Sequence, residues 1–213
     1  MSLVSKKMVS FGALSILLMS ILIVFDLNGT LISRESSKKR GNSEELFFER
    51  PGGHGFYIHK RPYLKELLEF IKEQNGYFKL GIWTTLHVHW AQAIHYHLFQ
   101  VTNPDLFEFV LDGSYCSRPL DEMKIPIKNF STVYNDRDIN PLSNWNSKNT
   151  ILIDDTAEKA IFDSKNLLHI PTFEYTSKRD ENLLILQQWL ANLKQSQPVN
   201  IQEYIQDNNI RFS

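Results

Sequence analysis

The chain has 213 residues, 42% of them hydrophobic and 22% charged, which is the size and usage of one globular domain with room for a small insertion. Its formal net charge of -1 provides no whole-molecule field to attract nucleic acid, so no direct nucleic-acid contact is expected. A single cysteine, Cys116, excludes an intrachain disulfide and suits a reducing compartment, which favours a nuclear or cytoplasmic location.

Lys6 and Lys7 precede an almost unbroken apolar run from Met8 to Phe25. A basic start followed by an apolar run resembles a signal peptide or a signal anchor. The end of the run, Ile21-Leu22-Ile23-Val24-Phe25, reads instead as a buried parallel strand that delivers Asp26 at its carboxyl end. The same residues cannot lie in a bilayer and form a central strand. Residues 1–19 are therefore set apart as an apolar extension, either a membrane anchor or dispensable sequence ahead of Met19. The folded domain is expected over 20–194 and a polar, mobile or partner-binding tail over 195–213.

Strand and helix signals alternate after the first strand, which favours a parallel sheet with helices on its faces. Residues 32–60 look irregular, punctuated by Gly41, Pro51-Gly52-Gly53 and Gly55, with short strands expected at Leu46–Glu49 and Phe56–His59. The basic run Lys38-Lys39-Arg40 within it reads as a solvated loop. Pro62 suits the first turn of a helix, Leu64, Leu67, Leu68 and Ile71 recur at helical spacing, and Asn75-Gly76 ends the run. Further strands are expected at Tyr77–Trp83, Leu106–Leu111, Thr150–Ile153 and Leu167–Ile170. Helices are expected over 87–100, near Lys128, at Glu158–Phe162 and at Asp180–Leu193, the last with Trp189 in the core.

Four polar signals fall at or just beyond strand ends, where open parallel sheets bind their ligands. They are Asp26-Leu27-Asn28-Gly29-Thr30, Thr84-Thr85, Lys128 and Asp154-Asp155. Together they are the parts of a phosphoryl-transfer site. An aspartate is ionised at neutral pH and can attack phosphorus to form an acyl phosphate. Neighbouring acids can hold a magnesium ion that offsets repulsion between two anions. A hydroxyl and a lysine can hold the equatorial phosphate oxygens. Gly29 permits a tight turn, and Thr30 can cap or orient it.

The order of these strings resembles the haloacid dehalogenase superfamily, with Asp-x-Asp-x-Thr, then Thr or Ser, then Lys, then paired acids. Finer features resemble its branch of C-terminal-domain phosphatases and nuclear LIM-interactor-interacting factors. They are Lys60-Arg61-Pro62 at a helix start, Ile82-Trp83-Thr84-Thr85, Ile127-Lys128-Asn129-Phe130 and Ile151-Leu152-Ile153-Asp154-Asp155-Thr156. The resemblance runs from about residue 20 to 194. It implies an α/β, Rossmann-like three-layer sandwich around a central parallel sheet. It also implies a magnesium-dependent phosphatase acting on phosphoserine or phosphothreonine in a protein or peptide. Carried over by position, Asp26 is the nucleophile, Thr84, Thr85 and Lys128 bind the phosphate, and Asp154 and Asp155 hold the metal with the Asn28 carbonyl.

Two departures stand out. The fourth string ends in Asp154-Asp155 where an Asp-Asn pair is commoner. More consequentially, the second acid of the first string is Asn28, and a carboxamide cannot exchange a proton near neutral pH. Impaired turnover is therefore expected. A catalytically weak binding module and a membrane-anchored translocase-subunit-like relative stand as alternatives to the phosphatase.

Three other features carry no separate chemistry in this reading. His87, His89, His95 and His97 lack a carboxylate or cysteine to complete a zinc set, so a polar helix face is expected. Phe47, Phe48, Phe56 and Tyr57 are expected to pack beneath a flap. Cys116 is expected to be a small buried residue.

Overall fold

Alternate side chains of a strand point to opposite faces. A strand that is apolar at every position must therefore be covered on both sides. Ile21–Phe25, the first strand (β1), is such a strand, and all five residues are buried. Ile21, Ile23 and Phe25 enter one hydrophobic cluster, while Leu22 and Val24 enter a second on the other face. The computed structural model that shows this describes residues 20–35, 46–49, 55–74, 76–100, 105–117, 125–142, 144–177 and 179–213. The apolar extension 1–19 and the basic run Lys38-Lys39-Arg40 lie outside these residues.

After β1 come β2 (Ile32–Glu35), β3 (Leu46–Glu49), β4 (Gly55–Lys60), α1 (Leu64–Lys72), β5 (Phe78–Trp83), α2 (Val88–His95) and β6 (Phe107–Leu111). Then follow α3 (Ser131–Asn135), β7 (Thr150–Asp154), β8 (Leu167–His169), α4 (Asn182–Ser196) and α5 (Ile201–Asp207). The main sheet has the order β6-β5-β1-β7-β8, and every pairing in it is parallel. This is the expected α/β architecture, with β1 at its centre. Leu64, Leu67, Leu68 and Ile71 of α1 and Leu183, Leu186, Leu190 and Leu193 of α4 cover the first face. Phe130, Val133 and Trp145 cover the second.

The chain runs from β1 to β5 on one side and later to β7 on the other. A crevice opens where that order reverses, at the carboxyl edge of the strands. The register sets what lines it. Phe25 pairs with both Ile82 and Ile153, so Asp26, Trp83 and Asp154 are the next residues out on three adjacent strands.

The structure departs from the sequence reading in several elements, among them the helix expected at Glu158–Phe162, which is a 3₁₀ turn over Ala157–Ala160. Residues 32–60 contain an antiparallel sheet of order β2-β4-β3, including a strand at Ile32–Glu35 where the sequence predicts irregular structure. Only Ile32 of that strand is fully buried, so it carries too little alternation to be seen alone. The helix after Thr84-Thr85 widens into a π turn over Tyr96–Gln100. The C-terminal stretch, expected as a mobile or partner-binding tail, forms a further helix packed on the domain. Asn200 caps α5 by accepting from the Gln202 amide, Ile201 is fully buried, and the Trp189 indole donates to the Asn208 carbonyl at 2.8 Å. Among the described residues, no helix is long and apolar enough to cross a membrane.

Candidate active site

The turn after β1 is a closed unit of backbone hydrogen bonds. The Leu31 and Ile32 amides donate to the Leu27 carbonyl, and the Gly29 amide donates to the Ile32 carbonyl. Gly29 has φ 87°, the left-handed region that favours glycine. A side chain there would also collide with the Asp155 carboxylate. The bare Cα of Gly29 thus lets the Asp155 carboxylate pack directly against the turn that follows Asp26.

Thr30 does not orient this turn through its side chain. Its hydroxyl is buried without a hydrogen-bond partner. Arg61 does the orienting instead. Its fully buried guanidinium donates to the Thr30 carbonyl at 3.0 Å, to the Pro171 carbonyl at 2.9 Å and to both Asp180 carboxylate oxygens. It also lies over the Phe173 ring at 5.6 Å.

Asp26 is buried at the head of the turn. Lys128 donates to Asp26 Oδ1 at 2.8 Å and to Asp154 Oδ2 at 2.6 Å. Lys159 donates to the other oxygen of each, Asp26 Oδ2 at 3.1 Å and Asp154 Oδ1 at 3.0 Å. Two ammonium groups therefore bridge the same two carboxylates. Their backbones are joined too, because the Lys128 amide donates to the Lys159 carbonyl at 2.8 Å. Burial alone would lower the Lys159 pKa, but the Asp26, Asp154 and Asp155 carboxylates outweigh it and hold the amine above its ordinary value.

Asp155 closes the cluster. Thr172 donates to its Oδ2 at 2.9 Å, the Thr156 hydroxyl to its Oδ1 at 3.3 Å, and Lys159 Nζ stands 3.6 Å from Oδ1. Asp26, Asp154 and Asp155 can each offer a ligand atom within 4.8 Å of the others. Three hard carboxylate donors this close fit a hard divalent cation. They form the only such group of His, Cys, Asp or Glu among the described residues.

The other candidates occupy the same edge in different ways. Thr84 is buried past the end of β5, and its hydroxyl accepts from the Leu86 amide at 3.3 Å. Thr85 is half-buried beside it. Asn28 is exposed at the mouth of the turn. The sequence marks Arg61 only as part of the Lys60-Arg61-Pro62 helix start, and it gives Lys159 and Asp180 no role in the site. A signal for Lys159 existed, since Asp155 and Lys159 stand four apart as helical ion pairs do.

The remaining features are not part of the acid cluster. His95 and His97 pack edge-on against Phe107 and Phe48, and the histidines form no metal cluster among the described residues. Phe48 and Phe56 are buried and stacked, whereas Phe47 is exposed against Tyr57. Burial pushes the half-buried Cys116 thiol up, away from the reactive thiolate.

A sequence model of the family described as "NLI interacting factor-like phosphatase" matches residues 21–200. Among solved structures, the chain is similar to that of Fcp1, described as an essential RNA polymerase II CTD phosphatase. Identity is 18% over 85% of this chain and 52% of that one, with a TM-score of 0.52. It is also similar to a variant of the fission yeast CTD phosphatase Fcp1 bound to beryllium fluoride. Identity there is 19% over 85% of this chain and 54% of the other, with a TM-score of 0.50. The chain thus spans about half the length of these structures, and at this identity they speak for the fold. No curated protein matches the chain significantly.

Proposed function

The chain belongs to the NLI interacting factor-like phosphatase family, and on that premise we propose that it is a magnesium-assisted phosphatase of phosphorylated protein side chains, with Asp26 as nucleophile. The observation that carries this reading is the buried carboxylate of Asp26 held between two ammonium groups, beside two further acids, at the carboxyl edge of the sheet. Asp26, Asp154 and Asp155 would hold the magnesium, together with the Asn28 backbone carbonyl. When bound, the ion offsets repulsion between the anionic nucleophile and the anionic phosphate.

In the first step an Asp26 oxygen forms a bond to phosphorus while the bond to the serine or threonine oxygen breaks. Lys128 would turn its ammonium from Asp26 and Asp154 to the equatorial phosphate oxygens, and Thr84 and Thr85, after β5, would bind the phosphate with it. In the second step water attacks the phosphorus, releasing inorganic phosphate and restoring the Asp26 carboxylate. The departing serine or threonine oxygen takes up a proton in the first step and the attacking water gives one up in the second, both exchanged with solvent water. Asn28 sits where the family's acid would move these protons and cannot.

A loss of general acid–base catalysis is commonly worth about 10²–10⁴-fold. Slow turnover is therefore the expected behaviour of the native chain, and Asn28 favours the second reading, a phosphopeptide-binding module. Single-turnover kinetics with an aryl phosphate and a phosphoserine peptide separates the two. The phosphatase reading expects a rate that Asp26→Asn abolishes and Asn28→Asp raises, with phosphate on Asp26 detectable by mass spectrometry. Peptide binding with no phosphate release from either the native chain or Asn28→Asp would replace it with the binding module.

A further inference from the structure

Lys128 and Lys159 look equivalent at Asp26 and Asp154, but they differ in a third contact and in access. The Lys128 side chain has no exposure and, among the described residues, its ion pairs are with those two acids. The Lys159 side chain keeps 10% exposure, and its ammonium also faces Asp155. Lys159 is thus the cation that all three carboxylates of the candidate metal site surround, at 3.1, 3.0 and 3.6 Å.

A bound magnesium ion needs its oxygen ligands at about 2.0–2.1 Å and in near-octahedral order. The oxygens that Lys159 engages belong to the same three acids that would supply those ligands. An ammonium at hydrogen-bond distance from Asp26, Asp154 and Asp155 and a divalent ion ligated by them are two cations for one place. Lys159 comes from the short 3₁₀ turn Ala157–Ala160, in which Ala157 and Glu158 are exposed, so its four-carbon stem has a route to solvent. Lys128 has none, being enclosed at its backbone by the Lys159 carbonyl and at its head by Asp26 and Asp154.

We infer that Lys159 is a built-in competitor for the divalent cation, whose ammonium occupies the acid cluster until magnesium displaces it. This rests on reading the cluster as a metal site. With Lys159 in place, the three acids face two ammonium groups and the cluster is nearly neutral without metal. Magnesium must therefore enter against a cation that is covalently present at every moment. A weak magnesium affinity and a fold that holds its site together without metal follow from the same contact.

The test is magnesium binding to the full chain by calorimetry, with the thermal midpoint measured in parallel with and without magnesium. Lys159→Met removes the competing charge and keeps much of the stem, and Lys159→Gln serves if the first variant fails to fold. Lys159→Arg keeps the charge. The expected result is a gain in magnesium affinity of about tenfold or more for the neutral variants, about 1.4 kcal/mol or more. The same variants should show a larger magnesium-induced rise in thermal midpoint than the native chain. The arginine variant should gain nothing. Equal affinity in the native and neutral chains would overturn the competition and leave the phosphatase reading standing. So would an arginine variant that gains as much as the neutral ones. No magnesium binding by any form would overturn both the competition and the magnesium role.

Discussion

Arg61 and Asp180, 119 residues apart in sequence, form a two-pronged ion pair of 3.0 and 2.9 Å in which the guanidinium is fully buried. The planar fork of arginine matches a carboxylate in a way lysine does not. The same guanidinium holds the carbonyl of Thr30, four residues beyond the proposed nucleophile. The pair therefore ties the turn after β1 to the segment that leads into α4. Breaking a buried pair strands a charge and costs about 3–5 kcal/mol. Arg61→Met and Asp180→Leu should each lower stability by about that amount in urea unfolding. The double variant should lose much less than the two losses added together, because it leaves no stranded charge. Additive losses would show that the two side chains act separately.

Gly29 faces two separate constraints, its positive φ and the Asp155 carboxylate beside it. Gly76 has a similar φ of 76° but open space, with Lys79 Cε at 4.0 Å as its nearest neighbour. Gly76→Ala should cost only the left-handed backbone strain, about 1–2 kcal/mol. Gly29→Ala should cost more and should also abolish aryl phosphate turnover, because the new methyl displaces Asp155. Equal thermal shifts for the two variants would mean that Asp155 yields freely.

Docking of the C-terminal segment is worth measurable stability. Ile201 is fully buried in the main core, and the Ser213 amide donates to the Asn182 side chain at 2.8 Å. Ile201→Ala should cost about 2–5 kcal/mol, as other large-to-small core changes do. Truncation after Ser196 should cost at least as much. A truncated chain with an unchanged unfolding midpoint would show that α5 contributes nothing.

Burial pushes the His95 ring below its ordinary pKa. Phe107 meets the ring edge-on at 5.5 Å. Above about pH 7 the ring is neutral in both the folded and unfolded chains, and it adds no pH dependence. As the pH falls through about 6.5, the unfolded chain takes up the proton first. Stability is then lost until the lower folded value is reached. The thermal midpoint of the native chain should therefore fall more steeply below pH 6.5 than that of His95→Leu. Above pH 7 the two curves should run parallel. Parallel curves across the whole range would exclude this origin.

Much of this protein follows from short stretches of its sequence. Ile21–Phe25 is apolar at every position, so only a place at the centre of a two-sided sheet satisfies it, and Asp26 must then emerge at an edge. Leu64, Leu67, Leu68 and Ile71 repeat at the helical period and specify the face of α1 that is buried. Asp26, Lys128 and Asp154-Asp155 could be chosen because each follows a strand or stands in the polar run between strands. These are local signals, legible within a few residues because backbone geometry sets their periods.

The tertiary structure alone decided which charges meet. Lys159 sits in an unremarkable Ala-Glu-Lys-Ala turn, and only the β1–β7 register carries its amine to Asp26, 133 residues away. The partner of Arg61 and the docking of Ile201 have the same origin. Charge pairing depends on distances of a few ångströms between segments far apart in the chain, and hydrophobic periodicity carries no record of those distances.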